Sequence, residues 1–214
     1  MVDNFSKISE CIKSVLQEIP NEYSPNDVYF HCQIIRRSKD NNGEGSNSRL
    51  IKAFQIDSEH PIEHYEEHIK KMCEDENARA YINLSPKSKH QTAVRMLNEL
   101  ADCFQKNDFN YLNRLWNSAA GKVGAIRKLW VIDVDYEDGR PMYSPSHLKW
   151  YIDNECEPLN GESKIFADIP TKNGMHIITR PFNLQKFKLN FPVIDVHKNN
   201  PTVLYVPDTV INKN

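Results

Sequence analysis

Residues 128–135, Lys-Leu-Trp-Val-Ile-Asp-Val-Asp, form the clearest strand pattern in the chain, because apolar residues lead into two alternating carboxylates. Side chains alternate between the two faces of a strand, which puts Asp133 and Asp135 on one face and Ile132 and Val134 on the other. An apolar face must be covered, whereas an acidic face needs water, cations or polar partners. The segment therefore predicts a strand with one face buried and the other solvated or functional.

The order of the remaining elements predicts an α+β fold with a mainly antiparallel sheet. Strands are predicted at 28–35, 50–56, 79–84, 164–169, 175–180, 193–196 and 202–206, and a Gly/Asn/Ser-rich loop at Ser38–Ser48 joins the first two. Helices are predicted at 8–19, 59–73, 88–104, 109–120 and 145–155. The helix over 88–104 places one apolar stripe together: Ala93, Met96, Leu97, Leu100 and Phe104. Strands and helices do not alternate regularly, as a doubly wound parallel sheet would require.

Size and composition limit the class of protein. The 214 residues, 39% of them hydrophobic and 26% charged, can bury a proper core and exclude fibrous and wholly disordered chains. Without a linker-like stretch, we expect one unit, with an N-terminal α+β lobe over 1–122 and a second lobe over 123–214. No run approaches 18 apolar residues and the start lacks the layout of a signal peptide, so we expect a soluble, cytoplasmic protein without membrane contact.

The five cysteines are an odd number at wide spacings, with no CxxC pair. This argues against a disulfide framework and against a zinc ribbon, so we expect reduced thiols.

Charge is unevenly distributed, although the formal net charge is only −2 and excludes a globally basic nucleic-acid coat. Residues 171–198 contain five Lys or Arg residues against one acid, Asp195. Just upstream, four acids fall within six positions: Asp133, Asp135, Glu137 and Asp138. A site that holds divalent cations and phosphates together needs such neighbours. Two solvated loops of opposite charge would give the same pattern.

The two alternating carboxylates suit divalent metal binding. Two strand residues span roughly 6.6 Å, so Asp133 and Asp135 could ligate one Mg²⁺ or bracket a metal pair. In the alternative interpretation, the strand simply ends here and the two acids meet water.

A second segment, 169–180, joins a glycine to basic side chains. In an extended chain Gly174, His176 and Arg180 share one face, and the glycine lets the backbone approach a phosphate, which would suit a triphosphate. The alternative is that Asn173-Gly174 marks a hairpin turn and that His176 is a hydrogen-bonded structural residue.

A third segment, Val193-Ile-Asp-Val-His, places Asp195 and His197 on one face. If it lies on a neighbouring strand, Asp195 adds a third carboxylate to an all-oxygen site of the kind that Mg²⁺ or Mn²⁺ prefers.

Together the three segments resemble the archaeo-eukaryotic primase and primase-polymerase superfamily, whose members carry an hhhDhD strand, a Gly-x-His strand and a hydrophobic-Asp strand. Here these are Val131-Ile-Asp-Val-Asp, Thr171-Lys-Asn-Gly-Met-His and Ile194-Asp, within residues 128–212. The resemblance implies an RRM-like catalytic sheet packed with an N-terminal α+β unit. It also implies that Asp133, Asp135 and Asp195 hold two Mg²⁺ or Mn²⁺ ions and that His176 meets the phosphates of a nucleotide.

The resemblance implies a DNA primase or polymerase type of nucleotidyltransferase, which adds nucleotides to a 3′ end by two-metal-ion catalysis. Expected partners are nucleoside triphosphates, a DNA or RNA template and primer, and a helicase or another replication protein. The expected nucleotide-binding residues are Thr171, Lys172, Gly174, His176 and Arg180. The expected template contacts are Arg36, Arg37, Lys39, Arg79, Lys87 and Lys89, with Tyr81 for stacking; the alternative for each is an ordinary solvated surface role.

Three other functions stay open at this point. The chain could be an inactive nucleic-acid-binding replication accessory protein, a two-metal nuclease or phosphohydrolase, or an interaction protein in which the acidic strand has no role.

Overall fold

The structure, a computed structural model, describes residues 1–40 and 48–210. Within them the chain has six α-helices and two antiparallel sheets, which confirms the predicted α+β class. The helices are α1 (Phe5–Gln17), α2 (Glu66–Asp75), α3 (Lys89–Lys106), α4 (Leu115–Lys122), α5 (Pro145–Asn154) and α6 (Leu184–Asn190). The strands are β1 (Val2–Asp3), β2 (Val28–Arg36), β3 (Arg49–Ile56), β4 (Arg79–Ser88), β5 (Trp130–Glu137), β6 (Arg140–Pro141), β7 (Ile165–Pro170), β8 (Gly174–Thr179), β9 (Asp195–His197) and β10 (Thr202–Val206).

The first sheet has the strand order β1-β10-β4-β2-β3. The predicted pairing of the strands now seen as β2 and β3 is confirmed, whereas most of the predicted Ser38–Ser48 loop lies outside the described residues. Helices α1 and α2 cover one face of this sheet, where Ile8, Val15 and Ile69 pack with Phe30 and Ile82. The amphipathic pattern of α1 therefore produces the expected buried face.

The second sheet and its two helices are built from the elements that run from β5 to β9 in the chain: β5, β6, α5, β7, β8, α6 and β9. Its strands lie in the order β9-β5-β8-β7, all antiparallel, and the short β6 pairs with the far end of β5. The apolar face of β5 packs with α5 and α6, where Ile132 and Val134 share a core with Leu148 and Phe187. The opposite face of β5 carries the acidic residues.

The two sheets do not divide at the predicted lobe boundary between residues 122 and 123. The last strand, β10, leaves the second sheet and inserts between β1 and β4 of the first. All five of its residues are buried, so this apolar run is accommodated in the interior of a sheet and not at an edge. Val131 and Ile178 of the second sheet also pack into the first core. The acidic face of β5 is thus turned towards the first sheet.

The apolar stripe predicted on α3 is largely exposed. Leu97 and Phe104 are 65% and 64% exposed, whereas the buried residues of α3 include Glu99. The Glu99 carboxylate accepts hydrogen bonds from Arg95 at 2.9 Å and from Lys122 of α4 at 2.8 Å. Because this ion-pair network turns the polar side of α3 towards α4, hydrophobic periodicity does not identify the buried face.

All five cysteines are buried free thiols, in agreement with the prediction. None of the described helices has the length and apolar content needed to cross a membrane.

Candidate metal and nucleotide site between the two sheets

Strand pairing brings the predicted acidic residues and the histidine to one face of the second sheet. Asp133 of β5 lies directly opposite His176 of β8 on one side and opposite Asp195 of β9 on the other. Asp135 lies opposite Gly174. Directly paired residues share a face, with Cβ atoms about 4.5–5.5 Å apart. Three carboxylates and one imidazole, from strands far apart in the sequence, therefore gather around Asp133.

This acidic face borders a cleft of about 380 Å³ between the two sheets. The second sheet contributes Asp133, Asp135, His176 and the hairpin loop Thr171–Asn173. The first sheet and the loop after β2 contribute Arg37, Arg79, Tyr81, Val203 and Val206. Asp195 neighbours Asp133 in register but does not line this cleft. We refer to this space as the acidic cleft.

His176 is held between the two sheets. Its Nδ1 lies 2.8 Å from the hydroxyl oxygen of Thr202 on β10, and its Nε2 lies 3.6 Å from a carboxylate oxygen of Asp133. Burial, and then the nearby His197, lower the pKa of His176 to about 4, so the imidazole is neutral at physiological pH. Thr202 was missed by the sequence reasoning, since no local pattern links β10 to β8 across 26 residues.

Asp133 lacks charge compensation from this histidine. Burial, and then the neighbouring carboxylates Asp135 and Asp195, raise the pKa of Asp133, and His197 opposes them only in part. An ion pair with a protonated His176 would lower the pKa of the carboxyl and raise that of the imidazole, but both shift the other way. The Asp133 carboxylate therefore lies beside like charges without a protonated imidazole to offset them.

The residue types fit a hard divalent cation. Carboxylate oxygens are the ligands that Mg²⁺ and Mn²⁺ prefer, and Asp133, Asp135 and Asp195 supply three of them. Among the described residues, no three His, Cys, Asp or Glu side chains converge closely enough to form a ready-made metal site. The donor chemistry thus fits, and the side chains do not form a preorganised cage.

Basic and hydroxyl groups face the acids across the same cleft. Arg79 makes a two-pronged ion pair with Asp40, with N···O distances of 2.7 and 2.6 Å. Arg37 donates a hydrogen bond of 3.4 Å to the hydroxyl of Tyr81. Two expected template contacts, Arg37 and Arg79, therefore lie beside the acidic cluster, as do Thr171 and Lys172 of the expected nucleotide-binding set.

Close packing of the backbone explains why residue 174 is a glycine. A Cβ atom at this position would lie 2.0 Å from the carbonyl oxygen of Val134, and the backbone of Gly174 is not among those with positive φ. The glycine therefore allows β8 to approach β5, and the predicted approach to a phosphate is not needed to explain it. The hairpin interpretation of Asn173-Gly174 agrees with the β7–β8 pairing.

Arg180, one of the expected nucleotide-binding residues, does not line the acidic cleft. It follows the opposite end of β8, where it donates hydrogen bonds to Glu18, the residue that caps the C-terminal end of α1, at 2.7 Å and to the carbonyl of Ser163 at 2.6 Å. Glu18 is also ion-paired with Arg127. The shared face of Gly174 and Arg180 was correctly inferred, but six residues of strand separate them by roughly 20 Å.

Lys87, an expected template contact, lies in the interior and does not line the acidic cleft. Its side chain is buried, with only 2% of the residue exposed, and its ammonium group donates to the carbonyl of Val123 at 2.9 Å. Burial lowers the pKa of Lys87. Lys89 is engaged by Asp57 at 2.8 Å. Arg36 lies at the end of β2, outside the lining of the acidic cleft, and the side chain of Lys39 lies outside the described part of the structure.

Comparison of the chain with protein-family models, with curated proteins and with solved structures found no match. The site is therefore interpreted from its own residues and geometry.

Proposed function

We propose that this protein is a divalent-metal-dependent nucleotidyltransferase of the primase-polymerase type, which adds nucleotides to the 3′ end of a nucleic acid. The observation that carries the proposal is the position of Asp133, which lies between Asp195 on one neighbouring strand and a neutral, largely enclosed His176 on the other, with Asp135 on the same face. The cationic side chains on the opposite wall of the acidic cleft support it, because a nucleoside triphosphate needs both metal ions and positive charge.

The topology of the second sheet also supports the proposal. Apart from the two-residue β6, its elements follow a strand-helix-strand-strand-helix-strand order, which supports the RRM-like sheet that we propose. An α+β unit built around the first sheet packs against it, as the resemblance to primase-polymerases implies. Because such sheets serve many functions, the argument depends on the side chains of the site and not on the topology alone.

In this proposal Asp133, Asp135 and Asp195 hold Mg²⁺ or Mn²⁺. Bound divalent ions supply Lewis-acid activation of a 3′-hydroxyl and stabilise charge on the leaving pyrophosphate. Thr202 donates its hydroxyl hydrogen to Nδ1 of His176, so that Nε2 carries the ring proton and donates to a phosphate oxygen. Lys172 and Arg37 add positive charge along the triphosphate.

The test is an incorporation assay with a primed template, labelled nucleotides and Mg²⁺ or Mn²⁺. We expect Asp133→Asn and Asp195→Asn to lower the rate at least about 100-fold, the size of effect seen when a group that stabilises transition-state charge is removed. The matched control is Asp102→Asn, at an exposed carboxylate on α3. Normal incorporation by the Asp133 variant would reject the proposal.

Product analysis in the same assay separates the alternatives. A two-metal nuclease or phosphohydrolase would shorten the primer or hydrolyse the nucleotide, with the same dependence on Asp133. An inactive nucleic-acid-binding protein would bind the primed template with no metal-dependent product.

His176 tests the nucleotide contact separately from metal binding. We expect His176→Gln to raise the KM for the nucleotide about 10-fold while the Kd for the primed template stays unchanged. Equal losses in both would contradict a phosphate contact.

A further inference from the structure

A second, larger cavity of about 1020 Å³ lies along the outer edge of the first sheet. One wall is β3, the edge strand of that sheet, and the other is the segment 111–118 that leads into α4. The lining residues able to bind a polyanion or a base include Arg49, Lys52, Arg114, Tyr111, Trp116 and Asn117. We refer to this cavity as the edge groove.

The edge groove is cationic and aromatic. Its described lining contains three basic residues, Arg49, Lys52 and Arg114, and no carboxylate. None of the three is ion-paired with a carboxylate of the described residues, unlike Arg79 and Arg180. The ring of Trp116 is oriented by an edge contact with His31, at a centroid distance of 5.0 Å, and by Tyr29 at 6.2 Å.

At Ala53 and Leu50 the edge groove shares a face of the first sheet with the acidic cleft, whereas Lys52, paired with the buried Ile34, borders the groove from the other face of the edge strand. Gln33 of β2 pairs with Tyr81 of β4, which lines the acidic cleft, and with Ala53 of β3, which lines the edge groove. Two residues further along β2, Ile35 pairs with Arg79, which lines the acidic cleft, and with Leu50, which lines the edge groove. Neighbouring strands are about 4.8 Å apart, so a single strand, about 10 Å of sheet, separates the two cavities.

We infer that the edge groove binds single-stranded nucleic acid and guides it across β2 into the acidic cleft. This inference rests on the proposed function, because it supplies the route by which a template strand reaches the acidic residues. Phosphates attract unpaired cations, and only an unpaired strand offers bases that stack on Trp116 and Tyr111. An acidic peptide would use the cations but would not explain the continuity with the acidic cleft.

The test measures binding of a fluorescein-labelled oligothymidylate by anisotropy, in EDTA and without nucleotide. We expect the triple variant Arg49→Ala, Lys52→Ala, Arg114→Ala to bind at least about 10-fold more weakly than the unmodified protein. The slope of log affinity against log salt should fall by about 2, since each single-strand phosphate contact contributes about 0.7. A Trp116→Phe variant should weaken binding without changing that slope.

The matched control removes three exposed lysines from the helices on the other face of the sheet, as Lys7→Ala, Lys13→Ala, Lys71→Ala. It changes the net charge equally, so a general charge effect predicts the same loss in both triple variants, and that result would overturn the inference. Unchanged oligonucleotide binding in the groove variant would also overturn it, as would groove-dependent binding of a labelled polyglutamate in place of the oligonucleotide. Thermal unfolding verifies that both variants are folded.

The design separates this inference from the proposed function, because binding needs neither metal nor nucleotide. Loss of binding in the groove variant, with no incorporation by the unmodified protein, keeps the inference and removes the polymerase proposal. If the groove variant incorporates nucleotides as fast as the unmodified protein, on long and short templates alike, the polymerase proposal stands and the inference is rejected.

Discussion

The two ends of the second sheet handle charge in opposite ways. At one end Asp133, Asp135 and Asp195 lie together on one face, beside a neutral His176. At the other end a single carboxylate, that of Glu18, is shared by Arg127 and Arg180. We call these the acidic end and the paired end.

The difference indicates what each end contributes. Opposite charges at the paired end tie α1 of the first lobe to the second sheet, a structural contact between sequence-distant elements. Like charges at the acidic end repel one another and raise the pKa of the half-buried Asp133, so this end has an electrostatic cost where the paired end has a gain. Neutralising a carboxylate should therefore have opposite effects on stability at the two ends.

The largest expected effect on stability comes from Gly174, where the backbones of β8 and β5 are in close contact at the acidic end. In Gly174→Ala the new Cβ would collide with the carbonyl of Val134, so the free energy of unfolding should fall by about 3 kcal/mol. Chemical denaturation measures this. Gly124→Ala is the control, because a Cβ at Gly124 would have no atom within 4 Å. A Gly174→Ala protein of normal stability would show that β8 is not held close to β5.

The paired end should lose stability when its shared carboxylate is neutralised. Glu18→Gln leaves two partly buried guanidinium groups without an anion, which should lower the free energy of unfolding by about 1–2 kcal/mol. Glu10→Gln, at an exposed site on the preceding helix α1, should change it by less than about 0.5 kcal/mol. Incorporation per folded molecule should be unaffected by Glu18→Gln, and a parallel loss of activity would erase the contrast between the ends.

Divalent metal should stabilise the folded protein by binding at the acidic end and not at the paired end. At about ten times its Kd, Mn²⁺ should add about 1.4 kcal/mol, which for a chain of this size raises the midpoint of thermal unfolding by about 3–5 °C. Scanning calorimetry with and without EDTA measures the shift. Glu18→Gln should keep it and Asp133→Asn should lose it. A shift that survives in the Asp133 variant would place the metal elsewhere.

The smallest expected effect is a gain in stability at the acidic end, opposite in sign to the loss expected at the paired end. Without metal, Asp133→Asn removes a half-buried charge from beside two other carboxylates and should raise the free energy of unfolding by about 0.5–1 kcal/mol at neutral pH, although it should lower incorporation at least about 100-fold. Denaturation in EDTA is the measurement. Destabilisation by more than about 1 kcal/mol would mean that Asp133 has a structural partner, and the contrast between the two ends would fail.

Much of the candidate site was predictable because strand alternation is a local property. The alternation of Asp133 with Ile132 and Val134 correctly separated a polar face from a core face, and the same rule placed Asp195 and His197 together. The rule gives the face on which a side chain lies, but it does not say which other element of the fold packs against that part of the strand. Arg180 therefore shares a face with Gly174 but contacts Glu18 and not the acidic cleft.

Burial of charged residues was the least predictable property. Lys87 and Glu99 look like surface residues in the sequence, yet Lys87 reaches a buried carbonyl and Glu99 draws the polar side of α3 towards α4. Both outcomes depend on a partner about 20 to 40 residues away, which no periodicity encodes. The edge groove was missed for the same reason, because its two walls come from separate segments.

The amino-acid sequence by itself determined the α+β class, the antiparallel pairing of β2 with β3, and the sidedness of the acidic strand, since all three follow from short-range patterns of apolar and polar residues. Only the tertiary structure decided that β10 returns to the first sheet, that Thr202 holds His176, and that Arg180 serves the paired end. These features depend on which strands become neighbours. That choice minimises the apolar surface and the unpaired polar groups of the whole chain and is not contained in any one segment.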